Sequence, residues 1–497
     1  GRFLSALFDS GTILLTGWLA LLLVRQSPNL LPGAYHTWSR AWSVALLTAT
    51  LVAFIPLQLQ LSHFYAVDTI LLFFVMLTLV ACVALVQTEK PVRWLLLTGL
   101  AYGLAMATKF SAAPLALPVL VALLLRGYRQ RDYLSALVFL FFIGAITVLV
   151  FMVMQPYALL DLPSFIQQVS EQGNMARGLL DYPYVRQFAG TIPYLYQAQN
   201  MLLWGLGLTL GLAAAVGLIW LIWAIWRRWA AIWLVPLSWV LVYSAITGAF
   251  YVKYMRYMLL IYPVLALFAA TVLIVLATRE WPQANMRWQP LLQRALPVIR
   301  AVAIVLVLAG TMFQGLALLN VYGQPNTRIQ ASRWMYAHLK PGSRLTYEQW
   351  DDPLPVDVDG HSAGMFAQAT YTDASGNAAT GMDLYGDDTT AKMRSLAELL
   401  STVDVITMAS DRLDKSIPRL PSRYPLTIHY YQLLFSGQLG FHLKARFDNR
   451  PNLFGITLDD SSADESYSVF DHPTVRIFVR TENYTPDQLL QKLLNTR

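Results

Sequence analysis

A polytopic α-helical membrane domain followed by a soluble α/β domain is the fold class this sequence predicts, and three observations carry it. Of the 497 residues, 56% are hydrophobic and only 13% charged, whereas about 25% of an ordinary soluble domain is charged. A soluble core has no use for that much apolar surface. The imbalance is also local: residues 1–320 hold nearly all the long apolar runs, and 321–497 read as an ordinary globular sequence. Third, the formal net charge is +7, but the basic residues fall in short loops between apolar runs. That pattern speaks of membrane topology, not of nucleic-acid binding.

A helix needs about 20 apolar residues to cross the hydrocarbon, because an unpaired backbone amide there costs several kcal/mol. About ten transmembrane helices are expected, at residues 4–24, 42–61, 69–88, 93–108, 111–126, 134–155, 201–226, 229–249, 256–277 and 301–320. The fourth and fifth are short and could form a broken pair around Lys109. Alternate loops hold Arg25 and Arg40, Lys90 and Arg93, Arg126, Arg129 and Arg131, Arg227 and Arg228, and Arg279, Arg287, Arg294 and Arg300. An excess of Lys and Arg marks the cytoplasmic side. The opposite set, with only Lys109, Arg177, Arg186, Lys253 and Arg256, is expected to face outward together with the tail. The domain reading is therefore 1–320 in the membrane and 321–497 as an extracytoplasmic α/β domain.

In that tail, Arg344 to Gln349, Val403 to Met408, Phe441 to Phe447 and Val475 to Val479 read as strands, with a helix from Thr390 to Leu400 between the first two. Gly, Pro and Asp mark turns, as in Asp471-His472-Pro473. The only cysteine, Cys82, lies in an apolar run, which excludes an internal disulfide. The chain opens Gly1-Arg2-Phe3 without methionine, a basic leader or a small-residue cleavage site. The expectation from this is a chain that lacks its natural beginning.

Ionisable residues within a membrane usually mark a site or pathway. At the outward ends stand His63, Asp68, Lys109, Gln155, Tyr157, Lys253 and Arg256. Asp68 opens a long apolar helix, where a carboxylate either caps free amides or orients a polar acceptor. His63 reads as an interfacial hydrogen-bonding residue, since no second His or Cys stands at metal-ligand spacing. Lys109 either snorkels to headgroups or binds an anion. Lys253 and Arg256 are three apart, so on a helical turn they would share a face able to hold a phosphate, or simply anchor at headgroups with the neighbouring tyrosines. Together these residues describe a cavity suited to a lipid phosphate and a polar acceptor.

The residues also carry a resemblance. Gly1-Arg2-Phe3-Leu4-Ser5-Ala6-Leu7-Phe8, His63-Phe64-Tyr65-Ala66-Val67-Asp68, Gly103-Leu104-Ala105 through Thr108-Lys109-Phe110, and Lys253-Tyr254-Met255-Arg256-Tyr257 with Tyr262-Pro263 resemble the GT-C membrane glycosyltransferases. The branch is the bacterial protein O-mannosyltransferase-like and aminoarabinose-transferase-like enzymes. In the tail, Ser416-Ile417-Pro418-Arg419-Leu420-Pro421 and Ser468-Val469-Phe470-Asp471-His472-Pro473 look like segments of large bacterial members. The resemblance implies transfer of a hexosyl or pentosyl group from a polyprenyl-phosphate donor, with inversion, to an envelope glycan, lipid or protein at the outer face of the cell membrane. It implies Arg256, Lys253, Lys109 and Arg2 as donor-phosphate ligands and Asp68 as an acidic residue of the catalytic set. His63, Tyr157 and Gln155 would meet acceptor or sugar, and no metal ligand is assigned. The catalytic base of such enzymes lies in the first outer loop, which this reading places upstream of Gly1. Asp9 follows closely but sits inside the first apolar run.

Two other classes stay open. A secondary transporter would show repeated halves and polar residues near the midplane, whereas here the charges cluster at helix ends. A non-catalytic envelope scaffold or binding protein would use the tail as its binding module.

Overall fold

A computed structural model of the protein describes residues 1–27, 30, 37–227, 230–278 and 289–495. Two compact units result: Gly1–Ala176 with Pro193–Leu318, and Arg177–Ile192 with Leu319–Arg497. The membrane-domain boundary expected at 320 thus meets a second feature, the earlier segment Arg177–Ile192 that groups with the C-terminal unit.

The first unit is helical. It runs α1 (Arg2–Arg25), α2 (Thr37–Ala53), α3 (Pro56–Ser62), α4 (Val67–Gln87), α5 (Val92–Thr108), α6 (Ala116–Gln130), α7 (Tyr133–Met154), α8 (Tyr157–Leu160) and α9 (Leu162–Ala176). After the excursion into the second unit come α10 (Leu195–Asn200), α11 (Leu208–Trp226), α12 (Leu234–Gly248), α13 (Tyr262–Thr278) and α14 (Gln289–Val321). Among the described residues, eight helices are long and apolar enough to cross a membrane, nine if the pair Ser39–Ala53 and Pro56–Ser62 is one span bent by 61°. Where described, each of the ten apolar runs is mainly helical, but α5 is a shorter apolar helix. The protein is a polytopic α-helical membrane protein.

The breaks have local causes. Pro56 occupies the first position of α3, where a missing N–H costs nothing, and it ends α2 by denying it the next hydrogen bond. The run at 201–226 is interrupted at Gly207, whose φ of 86° favours glycine. There the Gln314 side chain of α14 accepts from Leu208 N at 3.2 Å and donates to Leu203 O at 2.6 Å, satisfying backbone groups that hydrocarbon would not. At Gly217 of α11 a Cβ would stand 2.5 Å from Phe268 O of α13, so these two helices approach at backbone distance through a small residue.

Arg126 corrects one expectation. It is not a loop cation but 5% exposed, and its Nη1 donates to Leu85 O at 2.6 Å and Thr88 O at 2.7 Å. A cation there satisfies the orphan carbonyls at the C-terminus of α4. Arg228, Arg279 and Arg287, also read as loop cations, lie outside the described residues, as does the side chain of Arg294.

The second unit is α/β. It contains α15 (Thr327–His338), α16 (Thr390–Thr402), α17 (Arg412–Ser416), α18 (Pro425–Phe435), α19 (Glu465–Ser468) and α20 (Pro486–Leu494). Its strands are β1 (Arg344–Tyr347), β2 (Ala367–Gln368), β3 (Tyr371–Thr372), β4 (Ala378–Ala379), β5 (Val405–Met408), β6 (Phe441–Phe447), β7 (Asn452–Leu453), β8 (Ile456–Thr457) and β9 (Val475–Arg480). The main sheet has the order β2-β1-β5-β9-β6, with two separate ribbons, β3–β4 and β7–β8. β1 is parallel to β2 and β5, and β9 antiparallel to β5 and β6. All four residues of β5 are buried, as a central strand covered on both faces requires. From the early segment, Arg186 reaches into this unit, its Nε donating to Asp181 Oδ1 at 2.8 Å and its Nη1 to Tyr385 O at 2.9 Å.

His472 lies between two carboxylates in the same unit, with Nδ1 2.6 Å from Asp471 Oδ1 and Nε2 2.7 Å from Asp460 Oδ2. Burial works against the imidazolium, but both aspartates outweigh it and push His472 up to about 9. A pKa raised on folding stabilises fully below the unfolded value near 6.5 and is lost as pH rises through about 9. Thermal stability of this unit is expected to fall across that window by up to about 3 kcal/mol, and His472→Gln should flatten the slope there. An unchanged slope would remove the buried imidazolium from the account.

Candidate functional site

The site is built at one end of the first unit, where helices break. Asp68 sits in the first turn of α4, 3% exposed. Of the two roles open to it, the cap does not form: the N-cap is Ala66, and no side chain caps the helix. Instead Lys109 Nζ donates to Asp68 Oδ1 at 2.9 Å. Lys109 is placed by the end of α5, where the chain turns extended (φ −161°, ψ 128°) before a 3-10 turn at Phe110–Leu115. The break expected around Lys109 is therefore real, and it holds a partly exposed ammonium, at 32%, against a carboxylate at 4%.

Lys109 Nζ also lies 5.3 Å from the centroid of the Tyr257 ring, within range of a cation–π contact. Tyr257 is held in turn, its carbonyl accepting from Tyr243 Oη at 2.9 Å. Beside this group opens a cavity of about 620 Å³ lined by Lys109, Tyr243 and Tyr257 at one side and by α9 at another. Its size falls within the ~300–1,000 Å³ of small-molecule sites. From α9 it takes Phe165, Gln168, Val169, Gln172, Gly173 and Ala176, spacings of three and four that form one helical face. No atom lies within 4 Å of where a Cβ would stand at Gly173.

Other expected residues fall around this end without lining the cavity. Gln155 Nε2 donates to Ala107 O at 2.8 Å, two residues before Lys109. Tyr157 is 74% exposed. His63 Nδ1 lies 2.7 Å from Leu59 O, a hydrogen bond to its own helix. Arg2, exposed, starts α1 next to Gly1, whose Cβ position would be 2.7 Å from Tyr65 Cγ, so α1 begins against the loop that joins His63 to the start of α4.

Lys253 and Arg256 do not share a helical face. Lys253 lies in non-helical chain, 2% exposed, and donates to Tyr251 O at 2.7 Å. Burial pulls its ammonium below the usual range. Arg256 is exposed on the 3-10 turn Met255–Ile261, its guanidinium 5.4 Å from the Tyr254 ring centroid. The chain is extended at Tyr254 (φ −54°, ψ 134°), and that removes the helical turn the spacing assumed. Asp9 is 6% exposed inside α1, and its Oδ1 has no hydrogen-bond partner among the described residues. Among those residues no group of three His, Cys, Asp or Glu side chains is placed to hold a metal.

What the sequence did not reveal was α9 as a wall, and Tyr243 and Tyr257 as supports of Lys109. The apolar stripe of α9 was the available signal, hidden in a long loop.

The stretch from the start of α2 to the end of α7 carries His63, Asp68 and Lys109, and Gln155 follows it directly. Residues 34–156 match the family model of dolichyl-phosphate-mannose-protein mannosyltransferases. This match, over about a quarter of the chain, bears out the mannosyltransferase-like resemblance where Asp68 and Lys109 lie. Among solved structures, the apo Archaeoglobus fulgidus oligosaccharyltransferase is similar at 13% identity and a TM-score of 0.47, covering 92% of this chain and 64% of its own. The same protein tethered to an acceptor peptide gives 12%, 0.46, 86% and 60%. ArnT from Cupriavidus metallidurans gives 14% identity, a TM-score of 0.41, and coverage of 83% and 80%. The chain thus spans less than two thirds of the oligosaccharyltransferase, and at these scores no residue role transfers. None of the curated proteins matches the sequence.

Proposed function

We propose that this protein transfers a sugar from a polyprenyl-phosphate carrier to an acceptor at the outer face of the cell membrane, with the unit that includes the C-terminal tail on that side. The observation that supports this is the Lys109 ammonium, fixed by Asp68, at the side of an apolar cavity. A lipid-linked sugar phosphate needs both halves of that arrangement. The isoprene chain takes the apolar walls, and the phosphate takes a cation through charge-assisted hydrogen bonds. As the bond from sugar to phosphate breaks, charge grows on the phosphate oxygens, and a preorganised ammonium stabilises it. Lys109 has three donors, of which one is given to Asp68. In this reading Asp68 positions Lys109 and Arg256 attracts the donor from outside. The amides of Gln168 and Gln172 face the cavity where sugar hydroxyls would lie.

Gly173 provides the test. Because its Cβ position is open, Gly173→Phe projects a ring into the cavity and leaves the packing of α9 intact. Photo-crosslinking with a polyprenyl phosphate analogue on the purified chain is expected to label the cavity lining, and the variant to abolish that labelling. Equal labelling of variant and parent would place the lipid elsewhere and sink the proposal.

A further inference from the structure

We propose that the β7–β8 hairpin is a membrane-interface anchor, with Phe454 and Ile456 entering the lipid bilayer at the end of α14. The hairpin is short, pairing Asn452 with Thr457 and Leu453 with Ile456. Its turn is Phe454-Gly455, with φ of 52° and 81°. A two-residue hairpin turn of this hand favours Asn, Asp or Gly at both places, and a bulky residue there is an outlier. Local folding therefore does not select Phe454. Packing does not select it either, because Phe454 is 90% exposed and Ile456 58%.

The other ribbon in the same unit shows what a tip adapted to water looks like. β3–β4 turns through Asp373-Ala374-Ser375-Gly376, where Asp373 Oδ1 accepts from Ser375 N at 2.9 Å and Asn377 N at 2.8 Å. One hairpin tip is polar and tied to itself, and the other presents an aromatic ring and a branched aliphatic side chain to its surroundings.

The partner follows from where the apolar hairpin is fastened. Asn320 Nδ2 donates to Asn452 O at 3.2 Å and to Asn452 Oδ1 at 2.8 Å. Asn449 Nδ2 donates to Val321 O at 3.2 Å. Asn320 and Val321 are the last residues of the apolar span Ala295–Val321. The base of the hairpin thus lies within hydrogen-bond distance of the point where a membrane-crossing helix leaves the hydrocarbon. Phe and branched aliphatic side chains gain there by leaving water.

The experiment uses the single buried cysteine, Cys82. In a Cys82→Ser background, Phe454→Cys, Ile456→Cys and the reference Ser375→Cys are each labelled with an environment-sensitive fluorophore. The full chain is reconstituted in phosphatidylcholine and phosphatidylglycerol nanodiscs. Labels at 454 and 456 are expected to be quenched severalfold more by a nitroxide carried on lipid than by aqueous iodide, with the order reversed at 375. Iodide quenching without nitroxide quenching at both hairpin positions overturns the anchor, as does equal nitroxide quenching at 375. One hairpin variant lies in the turn and the other on β8, so misfolding of one leaves the other to decide.

Discussion

Lys109→Ala is expected to weaken polyprenyl-phosphate binding about 10- to 100-fold, since a hydrogen bond to a charged group is worth about 1.5–3 kcal/mol. The loss has two sources, and they separate by design. The Asp68 side chain is 4% exposed, so removing its partner leaves a carboxylate uncompensated, which destabilises the fold as well as the site. The double variant Lys109→Ala, Asp68→Asn removes both charges and is expected to regain stability without regaining affinity. Arg256→Ala, on an exposed side chain, is expected to cost less than Lys109→Ala in the same titration. If Arg256 proved the more costly, the phosphate would lie outside the cavity and the assignment of Lys109 would fall.

The largest expected change in stability is in the second unit, at Lys392. Its Nζ lies 3.0 Å from Leu384 O, 2.7 Å from Gly386 O, 3.0 Å from Asp388 Oδ1 and 2.8 Å from Thr427 Oγ1, four oxygens around three donors. Asp388 Oδ2 then accepts from Leu426 N at 2.6 Å and Thr427 N at 2.9 Å, the first amides of α18. One buried pair, 6% and 3% exposed, therefore joins α16, the 384–388 loop and the start of α18. Burial pulls the Lys392 ammonium below its usual range, and Asp388 opposes this. Breaking such a pair costs about 3–5 kcal/mol, because one charge stays buried alone. Lys392→Met should speed amide hydrogen exchange in α16 and α18 by the corresponding factor, and adding Asp388→Asn should recover part of it. Unchanged exchange would mean that apolar contacts alone hold these helices.

The helices of the first unit were legible because the length of an apolar run is a property of consecutive residues, and the bilayer demands that length whatever the neighbours are. Strands β1, β5, β6 and β9 and helix α16 likewise fall on the segments read as strands and helix, β5 and β9 on β-branched runs and α16 on helix formers. Residues whose roles depend on distant partners were read less well. Lys109 and Asp68 were each picked out, but their pairing spans 41 residues, and nothing near either one announces it. Arg126 was counted as a loop charge because its true partner, Leu85 O, also lies 41 residues away. The helical face that Lys253 and Arg256 were expected to share is absent for a local reason, an extended residue between them, which spacing alone does not reveal. α18, Pro-Leu-Thr-Ile-His-Tyr-Tyr-Gln-Leu-Leu-Phe, is rich in β-branched and aromatic residues, and tertiary packing overrides that preference.

The segment Arg177–Ile192 has a consequence for how the protein is made. Phe188 of this segment is wholly buried, and Arg186 bonds to Tyr385 and Tyr424. The segment is synthesised before α10 to α14, while the rest of its unit follows them. That unit can close only late in translation, and until then Phe188 and Arg186 wait without their final neighbours. Gene fission at Leu319 would accordingly yield two incomplete products, and co-expression of the halves would have to restore the Arg186 contacts between separate chains.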